Sequence, residues 1–304
     1  MFKIKIKSQN FKNAFSLIEL SIVILIVGIL IAGVTQSSRL MKQFKLSSAQ
    51  SITRSSDINS ILDLVFWAET SLDNSLTNSS GSFQMEDGNT ISMWSDINFR
   101  SNPKINLAQS NTNNQPTYKS SGINGLPSIS FDGVNDNLFS TSIVPLPAGD
   151  KNYTLVVVWR AFRLSSADGI IVFGQGANPF GPSQEASVII YGGTSGFAGW
   201  QNSFYPSTQV SANADYVTIV NVNNNLPSNN VSIYINSNTA VVGTTGSLNL
   251  SSQIFCAGGM DSMGATYAYQ GLISEAMVFD RTLKLDEIKS INSYLAKKYA
   301  IKIS

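Results

Sequence analysis

Residues 14–34 read AFSLIELSIVILIVGILIAGV, and this run constrains the chain more than any other segment. From Phe15 to Val34 it holds a single ionisable residue, Glu19. As a helix these residues reach about 30 Å, the thickness of a bilayer's hydrocarbon core. Lys3, Lys5, Lys7 and Lys12 precede the run, so the amino terminus is expected in the cytoplasm and the rest of the chain outside. Arg39, Lys42 and Lys45 on the far side work against that orientation. A carboxylate in a spanning helix costs ~2.5–3.5 kcal/mol at the centre and less near an end, and such residues mark function. A cleaved secretory signal needs an apolar region of only about 7–15 residues followed by a small-residue cut site. This run is longer, and IAGVTQ after it is a poor site. A plain membrane anchor accounts for the length but not for Glu19.

The segment Ala14-Phe15-Ser16-Leu17-Ile18-Glu19-Leu20 resembles the type IV prepilin cleavage and methylation motif. The resemblance implies a cut by prepilin peptidase after Ala14, where the family usually carries Gly, and N-methylation of Phe15. It implies that Glu19 of an incoming subunit meets the ammonium on Phe15 of a neighbour already in a filament. Removing one partner of such a buried pair leaves an unpaired charge, so the carboxylate would set the register of assembly. The expected division is a leader over 1–14, a transmembrane and amphipathic helix over 15–57, and a globular domain over 58–304. The expected location is the bacterial inner membrane before assembly, then an extracellular filament or a periplasm-spanning pseudopilus.

Thr35 to Asp57 contains neither Pro nor Gly. Leu40, Phe44, Ser48 and Ile52 share a helical stripe, with Leu46 and Ala49 beside it, so the same helix is expected to continue and to pack through that stripe. At 1.5 Å per residue the whole helix would measure about 65 Å.

From Ile61 onward the pattern changes to short apolar stretches separated by Asn, Gly, Ser and Pro. Only 13% of residues are charged, against about 25% in an average soluble chain, which suits a turn-rich β domain with a polar surface. Strands are predicted at 64–68, 128–131, 154–162, 169–173, 187–191, 216–221, 231–236 and 271–279, and a closing helix at 285–299. The fold class is therefore α+β: a long amino-terminal helix, an antiparallel β-sandwich, and a short carboxy-terminal helix. Trp159 is expected in the core, and so is the lone Cys256, in its apolar run.

LVFWAETS (64–71), SMWSDIN (92–98), QPTYKSSGINGLPSISFDGVNDNL (115–138) and the closing segment 269–301 together resemble a laminin-G-like, concanavalin-A-like jelly roll. The family usually has Ser or Thr before its last helix; Lys284 stands here. The combined reading is a pilin-like structural subunit displaying an adhesion domain. The alternatives are a pseudopilin of a type II-like secretion system that binds exported cargo, and a membrane-tethered lectin.

Histidine is absent, which excludes Ser-His triads and His-ligated zinc, and one cysteine forms no intrachain disulfide. A net charge of +1 gives no reason to expect a nucleic-acid partner. Glycosidases on related sandwiches need two carboxylates flanking a sugar, about 5–9.5 Å apart. Glu275 is the one acid inside a predicted strand, so no enzymatic activity is expected. Asp132, Asn135 and Asp136 cluster oxygen donors that suit calcium, or that simply cap their own turn. Trp200, Phe204 and Tyr205 form an aromatic loop cluster that either stacks on a glycan or another surface ligand, or plugs the core.

Overall fold

The computed structural model describes residues 16–140, 147–164, 167–174, 185–199, 201–246, 248–250, 254–259 and 267–304. The chain divides into two compact units, Met1–Phe44 and Lys45–Ser304. Helix α1 spans Leu17–Arg54, three residues short of the expected end. In the first unit its apolar side chains from Leu17 to Val34 are exposed all round. A helix that is apolar on every face is made for lipid or for a bundle of its own kind.

The second unit is an antiparallel β-sandwich. Its strands in chain order are β1 (Leu64–Glu69), β2 (Leu76–Asn78), β3 (Ile91–Trp94), β4 (Leu107–Ala108), β5 (Thr117–Lys119) and β6 (Ser128–Asp132). There follow β7 (Leu138–Ser140), β8 (Tyr153–Ala161), β9 (Asp168–Gly174), β10 (Glu185–Tyr191) and β11 (Thr194–Ala198). The set closes with β12 (Tyr216–Val222), β13 (Val231–Ile235), β14 (Val241–Gly243), β15 (Ile254–Ala257) and β16 (Gln270–Phe279). One sheet runs β14-β13-β12-β8-β16-β6-β5, with β1 also paired to β16; the other runs β11-β10-β9-β15-β7-β4-β3-β2.

Between the sheets lies a core rich in rings, including Phe66, Trp94, Tyr153, Trp159, Phe173, Phe197 and Phe255. The first sheet is buried on its outer face too. There Val156, Val158, Leu272 and Met277 pack with Ile288, Ile291, Leu295 and Tyr299 of helix α2 (Leu285–Tyr299). This explains why β8, YTLVVVWRA, reads as a continuous apolar run: both faces are covered. Trp159 and Cys256 are both buried, as expected.

Within the second unit, α1 buries Ala49 and Thr53 and half-covers Leu46 and Ile52, while Ser48 is exposed. The packed stripe is therefore rotated from the one drawn through Ser48. The α2 entry works without a hydroxyl at Lys284: Glu287 accepts the Lys284 N–H at 2.8 Å, and Arg281 grips Glu287 with two bonds of 2.6 and 2.8 Å.

Candidate functional site

The first site lies at the start of α1. The Ile18 N–H donates to Ser16 Oγ at 3.3 Å, and the Ser16 N–H donates to Glu19 Oε2 at 2.9 Å. This is a reciprocal capping box, in which a helix entrance satisfies its own orphan donors. Glu19 thus has a local role within its own chain. Ala14 and Phe15 lie outside the described residues.

A second cluster was not anticipated. Glu69 and Glu275 are register partners on β1 and β16. Lys298 of α2 inserts between them, its Nζ donating to Glu69 Oε2 at 2.8 Å and to Glu275 Oε2 at 2.9 Å. All three side chains are at most 1% exposed. Glu275 also accepts from Trp67 Nε1 at 2.7 Å, Tyr294 OH at 2.8 Å and Tyr299 OH at 2.8 Å. Glu69 accepts the backbone N–H groups of Ser71 and Leu72, each at 2.7 Å, and the hydroxyls of Ser71 and Ser75. Burial pushes the Glu69 carboxyl up, but Lys298 and the hydrogen bonds outweigh it and hold it below the ordinary range. Burial pulls Lys298 down, and the two carboxylates outweigh it and hold the ammonium above its ordinary value.

A third group lies on the second sheet. Ala186, Val188 and Ile190 of β10 point into the core, so alternation puts Glu185, Ser187, Ile189 and Tyr191 on the opposite face. Glu185 is 1% exposed; its Oε1 accepts from Ser187 Oγ at 2.7 Å, and its Oε2 has no partner among the described residues. Burial pushes this carboxyl up to about 7 against the Ser187 hydrogen bond. Tyr191, 47% exposed, stacks on Tyr205 with ring centres 4.6 Å apart and planes 22° from parallel. The Tyr205 ring lies against Gly196, where a Cβ would come within 2.4 Å of it.

The aromatic loop cluster therefore separates. Trp200 lies outside the described residues. Phe204 packs against the core and shares two backbone hydrogen bonds with Phe197. Tyr205 forms half of a surface platform with Tyr191.

The three candidate calcium ligands sit in the turn from β6 to β7, within a hydrogen-bond network. Asp132 Oδ1 accepts the N–H groups of Val134 at 2.8 Å and Asn135 at 3.3 Å, and Asp136 Oδ2 accepts the Asp132 N–H at 2.9 Å. Asn135 Nδ2 donates to Asn114 Oδ1 at 3.2 Å. Burial and then the Asp132 charge push the Asp136 carboxyl up to about 7. The Asp132 and Asp136 contacts cap the turn itself, and Asn135 ties it to Asn114.

With this geometry in view, comparison with known proteins adds two findings. Residues 10–35 match the prokaryotic N-terminal methylation motif. That match supports a type IV pilin- or pseudopilin-like subunit, processed by prepilin peptidase and assembled with other pilins. Together with the apolar helix it is consistent with membrane insertion before assembly. A search of curated proteins finds no match.

Among solved structures, an arabinofuranosidase bound to arabinofuranosyl-alpha-1,2-xylobiose matches with a TM-score of 0.59 at 12% identity, over 80% of this chain and 64% of that one. A GH54 alpha-L-arabinofuranosidase matches at 0.57 and 13%, over 80% and 65%. This chain thus spans just under two thirds of those enzymes. A sialidase of Trypanosoma rangeli matches at 0.47 and 14%, over 80% and 34%.

The expectation of no enzymatic activity is corrected by these findings. Glycoside hydrolases share this fold, so the architecture gives no ground for it. Its premise fails as well, because Glu69 and Glu185 lie within strands and Glu69 pairs with Glu275. At such identities the likeness establishes the fold alone and assigns no catalytic residue.

Proposed function

We propose that this protein is a type IV pilin-like subunit, cut after Ala14, N-methylated on Phe15, and built into a surface filament through its amino-terminal helix. The observation that carries the reading is Glu19 inside the matched methylation motif, at the head of a helix whose apolar residues are exposed on every side. Glu19 would pair with the Phe15 ammonium of a neighbouring subunit. The sandwich, read as a laminin-G-like domain from the segments at 64–71, 92–98, 115–138 and 269–301, would be the displayed adhesion domain. The Tyr191–Tyr205 stack is its candidate contact, because an exposed ring backed by a half-buried one offers a flat face to a sugar or a surface ligand. A second unit running from Lys45 to Ser304 is bulky for a repeating subunit, which favours a minor or tip position.

Mass spectrometry of the protein purified from sheared filaments and from membranes tests this reading. The expected amino terminus is N-methylated Phe15 in both fractions. A retained Met1, or a start beyond the apolar run, would overturn it. Recovery of mature protein only in a periplasm-spanning structure would assign the subunit to a secretion pseudopilus instead.

A further inference from the structure

The buried cluster of Lys298, Glu69 and Glu275 has a composition that simple packing does not call for. Two carboxylates and one ammonium sit in the interior with a net charge of –1 and no solvent access. Burying an ion costs several kcal/mol even after relaxation, and a buried pair is often no more stable than an apolar replacement. The amine and both carboxyls are within hydrogen-bond reach, and the aromatic rings of Tyr294 and Tyr299 lie 5.6 and 5.2 Å from the Lys298 nitrogen. Trp67 and Tyr294, ring centres 6.1 Å apart, meet edge to face beside the same group. An amine held against a carboxyl in a water-excluded site is arranged for condensation, since such fixed geometry stands in for effective concentrations of about 10⁵ M or more.

We propose that Lys298 and Glu275 become joined by an intramolecular amide bond, with Glu69 as the proton-transferring base. The two carboxyls differ in a way that assigns these roles. Glu69 is bound by the backbone N–H groups of Ser71 and Leu72 as well as by Lys298, which favours its carboxylate form. The hydroxyl donors to Glu275 have other partners at hand: Tyr299 OH reaches Ser274 O at 3.3 Å, and Tyr294 OH lies 3.2 Å from Thr53 Oγ1. Those hydroxyls can therefore turn to these partners when an oxygen of Glu275 departs.

The step balances within the cluster. Lys298 passes one proton to the Glu275 carboxylate, giving a neutral amine beside a neutral acid. The nitrogen lone pair attacks Cδ of Glu275, and the C–N bond forms. Glu69 takes the proton released from nitrogen and delivers it to the departing hydroxyl. The C–O bond breaks, one water leaves, and nothing is oxidised or reduced. The net charge stays at –1, now carried by Glu69 alone, which keeps its bonds to Ser71, Leu72 and Ser75 and gains the new amide N–H as a donor. The product would weld the carboxy-terminal helix to β16, the strand flanked by β8 on one side and by β6 and β1 on the other. A displayed domain would thereby resist peeling from its chain end.

The test is intact-mass measurement of the full chain purified in detergent, followed by tryptic digestion and tandem mass spectrometry. The carboxy-terminal part of the chain is expected to weigh one water less than its sequence. Tryptic cleavage after Lys298 is expected to be blocked, and a branched peptide should join Glu275 to Lys298. Lys298→Arg should restore the full mass, and Glu69→Gln should slow bond formation by about 100-fold or more, as removal of a positioned base does. The wild-type mass decides even where a variant fails to fold. An unmodified wild-type chain, or a bond at Glu69 in place of Glu275, would overturn the proposal.

Discussion

Replacing Glu185 by Gln tests whether the sandwich holds a carboxyl that is neutral when folded. The ordinary glutamate value is 4.5, and burial raises this one to about 7. At about 1.4 kcal/mol per tenfold change in proton affinity, the gap corresponds to roughly 3 kcal/mol. The sign follows from proton counting. Between pH 4.5 and about 7 the folded state holds a proton that the unfolded chain has released. The stability linked to this carboxyl is therefore fully present below pH 4.5 and lost as the pH rises through about 7. Gln does not titrate, so the variant should lack this slope. Its amide also places an NH₂ where Oε2 finds no partner among the described residues, at a cost of about 1–3 kcal/mol if it stays unpaired. That cost is independent of pH, so the comparison that matters is between slopes. Urea unfolding of the purified chain in detergent, followed by tryptophan fluorescence from about pH 4 to about pH 8, gives both curves. Relative to wild type, the variant should gain about 3 kcal/mol across that range. Parallel curves would show that Glu185 is ionised in the folded state and would refute the argument.

Three further outcomes are expected. Glu19→Ala should leave membrane insertion intact or improved, since it removes a costly charge, and should block filament incorporation; Glu19→Gln keeps the acceptor for the Ser16 N–H and should also fail if the charge is what assembly needs, as pull-down with wild-type subunits would reveal. Asp136→Asn keeps an acceptor for the Asp132 N–H while removing a buried charge and its repulsion with Asp132, so it should raise the melting temperature above neutral pH and leave it nearly unchanged well below; a calcium-dependent rise in the wild type that this variant abolishes would assign the turn to a metal instead. Gly258→Ala should destabilise the sandwich by about 2 kcal/mol or more in the same urea assay, because its φ of +91° disfavours a side chain and a Cβ would meet the Phe131 ring at 2.1 Å.

The fold class was legible because the strands of the first sheet are long and apolar and α2 carries a clean stripe at Ile288, Ile291 and Leu295. The short strands β2, β4, β5, β7 and β14, two or three residues each, carry too little pattern to be seen alone; they exist because a neighbour supplies their hydrogen bonds. The predicted strand ends differ from the observed ones by one or two residues at both acids of interest. The predicted strand 64–68 stops one residue before Glu69 and 187–191 starts two after Glu185, yet both acids lie inside the ladders. Those errors of one or two residues hid the acids of the sandwich. Tyr191 and Tyr205 were equally hidden as a pair, because their contact depends on how the loop after β11 folds back over Gly196.

A signal for the buried cluster was nonetheless present. Lys298 falls seven residues after Ile291 and three after Leu295, on the apolar stripe of α2, where a solvated lysine has no place. Glu275 interrupts GLISEAMVF, and Glu69 follows LVFWA. Each is a charge set in an apolar pattern, as Glu19 is in α1. A charge in such a position asks for a partner. In the sandwich the question is answered inside the chain: the register of β1 on β16 brings the two carboxylates together, and the phase of α2 delivers the ammonium between them. For Glu19 the described residues supply only the Ser16 N–H at its own helix entrance. A carboxylate accepts several hydrogen bonds, so this cap leaves most of its capacity open to a cation from another subunit. The same reading of misplaced charge thus points inward in one unit and outward in the other.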